Sequence, residues 1–180
     1  MSDGTFQSNV WGMRAIFFAL IAIILFFQLL PLYTAPRGWT GPDLVMAFAF
    51  AWAVRRPDYV PSGLLALLFL LTDLLLQRPP GLWAAMMLVA CESLKSQART
   101  LRDAGYFTEF FSVAVMIIGV ALAYQVVLAL FLVGSPIWSL TIIQTLMTLV
   151  AYPVAAIFSQ TALGVYRIAP GDLDRTLGGS

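Results

Sequence analysis

The stretch from Pro42 to Trp83 constrains this chain more than any other: PDLVMAFAFAWAVRRPDYVPSGLLALLFLLTDLLLQRPPGLW. It holds two strongly apolar segments, with acids and arginine–proline pairs gathered at their ends. Asp73 interrupts the second segment, between Thr72 and Leu74. An acid inside a segment this apolar is costly in lipid, and it needs a partner or a role. Composition extends the point to the whole chain. Of its 180 residues, 61% are hydrophobic and 11% are charged, where a soluble domain carries about 25% charged residues. The chain therefore reads as an integral membrane protein. The longest polar spans are the first dozen residues, the stretch from Glu92 to Glu109 and the tail after Tyr166, which leaves no room for a sizeable soluble domain.

Six apolar segments follow one another along the chain, at about 13–33, 43–54, 62–76, 81–102, 107–133 and 137–166. The expected fold is all-α, a single transmembrane domain over 1–180 with six membrane-crossing helices and a short polar tail at 167–180. The first segment could pass for the core of a signal peptide. Its apolar run is too long, however, and the residues after Gln28 offer no small-residue cleavage site, so a retained helix is expected. The second segment is the odd one. Leu44 to Val54 makes roughly 16 Å of helix, about half the hydrocarbon thickness. A half-span, a re-entrant hairpin with the third segment, and a full span with ends buried in protein are all open. A strand would leave its backbone unpaired in lipid. Ala47, Ala49, Ala51 and Ala53 fall on several helical faces, which favours a short helix packed by neighbours all round.

Charge placement tests the crossings. With six of them, one side holds Arg14, Arg55, Arg56, Lys95, Arg99, Arg102, Arg167 and Arg175, and the other holds only Arg37 and Arg78. Eight against two fits the positive-inside rule with both termini cytoplasmic. A re-entrant pair would misplace Arg55 and Arg56.

Several polar residues stand out against this background. Asp43 follows Pro42 at a helix start, where a carboxylate caps orphan amides and suits the positive helix end; the other reading is a contact to a partner. Asp73 is expected to pair with Arg78 or Arg37, or to serve a partner or ligand. One carboxylate makes no proton pathway. Glu92 and Lys95 can pair at i,i+3, and Lys95, Arg99 and Arg102 suit anionic headgroups. In the sixth segment Thr141, Thr145, Thr148, Tyr152 and Ser159 fall within about 40° of one direction at 100° per residue. Gln144 flanks that stripe. It should face protein, through interhelical hydrogen bonds, or line a pocket. Pro153 predicts a kink, and Gly119 with Ala123 offers a small-xxx-small pair for close helix approach.

The chain has no histidine and one cysteine, Cys91. The commonest metal ligand and general base is thus missing, and no internal disulfide can form. No phosphate loop, zinc motif or nucleophile elbow occurs. Nothing points to an enzyme, a cofactor or nucleic-acid binding.

The opening block resembles the rod shape-determining protein MreD family. The matching residues are Pro42-Asp43-Leu44 opening the second helix, Trp52 and Arg55-Arg56-Pro57 closing it, then Gly63, Asp73-Leu74 in the leucine-rich third helix, and Gly81-Leu82 opening the fourth. The resemblance covers roughly 30–100. It implies a small multi-pass, non-enzymatic protein of the bacterial inner membrane. Such a protein works in the cell-elongation machinery beside the single-pass protein MreC, with MreB and RodA and its transpeptidase in the same complex. It also implies kinship with the six-helix substrate-binding subunits of energy-coupling-factor transporters. That kinship makes a vitamin-like small-molecule binder the alternative. The residues expected to serve packing or partner binding are Asp43, Asp73, Arg37, Arg78, Arg55, Arg56, Thr141, Thr145, Thr148 and Tyr152, with membrane lipid as surroundings and a homo-oligomer left open.

Overall fold

The computed structural model describes residues 3–30, 40–103, 105–131 and 138–163. Among them lie six α-helices and no strand: α1 Asp3–Leu29, α2 Leu44–Arg55, α3 Ser62–Leu75, α4 Leu82–Asp103, α5 Tyr106–Leu130 and α6 Trp138–Thr161. A 3₁₀ turn, Pro57–Tyr59, joins α2 to α3. Helix α1 begins well before residue 13, where apolar periodicity alone would start it: DGTFQSN precedes the apolar run as continuous helix.

Helix α2 is the axis of the bundle. It packs between α4 and α6, with α1 against it, while α3, α4 and α5 each contact the next helix in the chain. Every residue from Val45 to Arg55 is buried. The alternating alanines explain how: Ala47, Ala49, Ala51 and Ala53 have no exposed surface, so neighbouring helices close in wherever no large side chain stands. The large ones fill the gaps between. Trp52 meets the Phe17 ring at 5.0 Å and the Tyr59 ring at 6.2 Å, and Phe48 meets Phe158 edge-on at 6.0 Å.

The outside of the bundle is apolar. On α5, Phe107, Phe111, Val115, Ile118, Leu122 and Val126 form an exposed row, and on α6 the row is Ile142, Leu146, Val150, Val154 and Ile157. Their polar residues point the other way: Glu109, Gln125, Thr148 and Ser159 are buried. This is the reverse of a water-soluble helix and suits a hydrocarbon surround. Three helices, over Val10–Leu29, Tyr106–Leu130 and Trp138–Thr161, are long and apolar enough to cross a membrane. At 1.5 Å per residue α2 and α3 reach only about 18–21 Å. Gly119 sits on the exposed side of α5 with nothing within 4 Å of where a Cβ would stand. The 119/123 pair therefore makes no close approach inside this bundle and faces outward instead.

Candidate functional site

Two buried polar groups lie at opposite ends of α2, and α6 serves both. At the N-terminal end, Asp43 caps α2: its Oδ1 accepts from the Met46 amide at 3.0 Å. Its own amide donates to the Thr148 hydroxyl at 2.9 Å, and that hydroxyl donates to the Gln144 carbonyl at 2.7 Å. Arg78 Nη2 approaches Asp43 Oδ2 at 3.7 Å, and the guanidinium lies 4.7 Å above the Trp83 ring. Nη1 of Arg78 is shielded from solvent and has no hydrogen-bond partner.

Asp73 differs from its expected role. It has no exposed surface, and its Oδ2 accepts from the amides of Gly81 at 2.9 Å and Ala84 at 3.1 Å. It therefore caps the start of α4 across the turn that joins α3 to α4. That turn needs two left-handed residues, Gln77 at φ 54° and Gly81 at φ 86°, and the Arg78 amide closes it on the Asp73 carbonyl at 3.0 Å. Arg78 pairs with Asp43 instead, and Oδ1 of Asp73 has no hydrogen-bond partner. Arg37, the other expected partner, lies outside the described residues.

At the C-terminal end of α2, Arg55 is 2% exposed and its Nε faces Glu109 Oε1 at 3.6 Å, with Glu109 equally buried. The Tyr152 hydroxyl donates to the same oxygen at 2.8 Å. Arg55 Nη1 donates to the Ala156 carbonyl at 2.9 Å, and one turn earlier Trp52 Nε1 donates to Ser159 at 3.1 Å. Arg55 was expected as an interfacial loop charge. It is instead the last residue of a buried helix, tied to α5 and α6. Arg56 is half-buried, its guanidinium 5.6 Å from the Tyr59 ring. Glu109 carried no signal beyond its place in a polar span. The clue to it was Tyr152 on the α6 stripe, with Arg55 at the same end of the bundle.

The α6 stripe thus divides. Thr148, Tyr152 and Ser159 are buried in contacts to α2 and α5. Thr141 and Thr145 are half-buried, and with Gln144 and Thr148 they form one wall of a cavity of ≈ 180 Å³. Asp43, Arg78, Trp83 and Tyr124 also line it, together with the apolar Met46, Ile117 and Val120. Gln125, buried on α5, donates through Nε2 to the Thr141 hydroxyl and pins the rim. Past the apolar part of α4, Glu92 accepts from Lys95 at 2.7 Å and from Ser62 at 2.8 Å.

These arrangements bind helix to helix. The buried carboxylates accept from amides, a phenol or a guanidinium. Compared with models of known protein families, with curated proteins and with solved structures, the chain matches none.

Proposed function

We propose that this chain is a non-enzymatic, six-span component of the bacterial inner membrane. It would act in the cell-elongation machinery by binding an MreC-type single-pass protein and supporting rod shape and peptidoglycan synthesis. MreB and RodA with its transpeptidase would be more distant members of the same complex. One observation carries the reading. The ionisable residues of the block that resembles MreD are spent on architecture: Asp43 caps α2, Asp73 caps α4, and Arg55 locks α2 to α5 and α6. A residue set shared for its fold behaves this way, and a catalytic set does not. The charge count supports cytoplasmic termini: with the buried Arg55 set aside, seven cations on one side still stand against two on the other. The test is detergent capture of the tagged chain from its own membranes, with mass spectrometry of what comes with it. An MreC-type protein should be enriched, and depletion of the chain should round the cells. Its absence, with cell shape unchanged, removes the reading.

The cavity favours a second reading, a small-molecule-binding transport subunit of related fold. The upper half of the α6 stripe lines open space where dry helix packing would have ruled this reading out.

A further inference from the structure

One flank of the bundle breaks the apolar outside. Helices α4 and α5 pack against each other as an antiparallel pair. Helix α4 ends at Asp103 and α5 starts at Tyr106, and at the far end Trp83 lines the same cavity as Val120 and Tyr124. Both helices rise by 1.5 Å per residue, so residues equally far from the α4–α5 connection lie level. The stretch 92–100 of α4 is then level with 109–117 of α5. On α5 that stretch turns Phe110, Phe111 and Val115 outward. On α4 it turns out Glu92, Ser96, Gln97, Arg99 and Thr100. Hydrocarbon cannot surround both faces at one depth without stranding ionisable groups in lipid.

Helix α3 marks the same boundary independently. It packs on α4 and begins at Ser62, whose hydroxyl donates to Glu92 at 2.8 Å. Its 14 residues make about 21 Å of helix, and the apolar part of α4, 82–91, makes about 15 Å. The hydrocarbon core of a bilayer is about 30 Å thick, which α5 and α6, with 25 and 24 residues, match or exceed. The polar face of α4 makes its hydrogen bonds at home. Glu92 accepts from Lys95 and Ser62, and Ser96 and Gln97 both donate to the Ser93 carbonyl. Such a face suits water better than a partner chain. Lys95 and Arg99 outnumber Glu92 by one, which suits anionic headgroups.

We propose that the chain pinches the bilayer beside α3 and α4. Headgroups and water of the inner leaflet rise along the polar face of α4 as far as the Glu92–Lys95 pair, while hydrocarbon of full thickness surrounds α5 and α6. Local thinning is the ordinary response of a bilayer to a short hydrophobic belt. The proposal rests on the six-span reading and adds to it a partner, a thinned lipid surface on one flank only.

The experiment uses the full chain in vesicles of phosphatidylethanolamine and phosphatidylglycerol. Cys91 is buried, so spin labels go to one introduced cysteine at a time: Ser96→Cys on α4, Val115→Cys on α5 and Leu70→Cys on α3, all at exposed positions. Power-saturation EPR compares collisions with oxygen, which concentrates in hydrocarbon, and with a water-soluble nickel chelate. Circular dichroism monitors the fold, and Gln97→Cys reads the same face if Ser96→Cys does not fold. The label at Ser96→Cys should collide more with nickel than with oxygen. At Val115→Cys, close to the same depth, and at Leu70→Cys the order should reverse. Oxygen dominating at Ser96→Cys as it does at Val115→Cys would mean unbroken hydrocarbon on both flanks. Neither reagent reaching Ser96→Cys would mean that protein covers α4 there. Each of these overturns the pinch and leaves the six spans standing. Nickel dominating at Leu70→Cys or Val115→Cys removes the spans themselves, and the pinch with them.

Discussion

Arg55 and Glu109 carry the largest consequence of any residue pair here. Both are 2% exposed, and they meet at 3.6 Å with Tyr152 on the same carboxylate oxygen. Removing one partner strands a buried charge, which costs about 3–5 kcal/mol, whereas replacing both with apolar residues of similar size is often neutral. Glu109→Ala should therefore destabilise the detergent-solubilised protein by roughly that amount in an unfolding titration. Arg55→Met combined with Glu109→Leu should recover most of the loss, and simple addition of the two single effects would contradict the pairing. The sequence made such residues unequally legible. Asp43 reads as a cap because its target, Met46, is three residues away, within the reach of local capping rules. Asp73 does not, because its targets lie eight and eleven residues on, beyond a proline pair. Glu109 and Tyr152 are 43 residues apart, and only the folded bundle brings them together.

At the scale of elements, α2 was the most legible and α1 the least. Alanines on every face of a short apolar segment imply neighbours on every side, and α2 is buried throughout from Val45. The start of α1 was missed because DGTFQSN carries no apolar period, yet it continues the helix. The contrast between α2 and α5 gives a paired prediction. Ala49 has no exposed surface, so Ala49→Leu should overpack the axis and cost about 1–3 kcal/mol, seen as a lower melting temperature. Gly119 has open space around its missing Cβ, so Gly119→Ala should leave the melt unchanged or raise stability by up to about 1 kcal/mol. A destabilising Gly119→Ala would mean that α5 is covered by something at that face. The α6 stripe was legible as a line but not as a division. Nothing in its spacing tells that Thr148 to Ser159 meet α2 and α5 while Thr141 and Thr145 meet a cavity.

The whole molecule inverts the usual arrangement of charge and apolar surface. Its exposed rows are phenylalanine, leucine, isoleucine and valine, and its buried residues include Arg55, Asp73, Glu109 and Gln125. A bilayer makes that arrangement stable, since ionisable groups turned inward and paired are the ones lipid tolerates. Both functional readings depend on α2 and α3 crossing that bilayer in opposite directions. The α2–α3 turn would then face the cytoplasm, and the α3–α4 turn with the cavity beside it would lie toward the outside. The chain itself supplies the background for a direct test, because its one cysteine, Cys91, is buried. Asp58 in the first turn and Pro80 in the second are both exposed, so Asp58→Cys and Pro80→Cys can each be probed in intact cells with a membrane-impermeant maleimide. The account predicts that Pro80→Cys labels from outside, and that Asp58→Cys labels only after the membrane is opened. Labelling of both from the same side would show that α3 does not cross, and it would contradict the six-span bundle on which the rest is built.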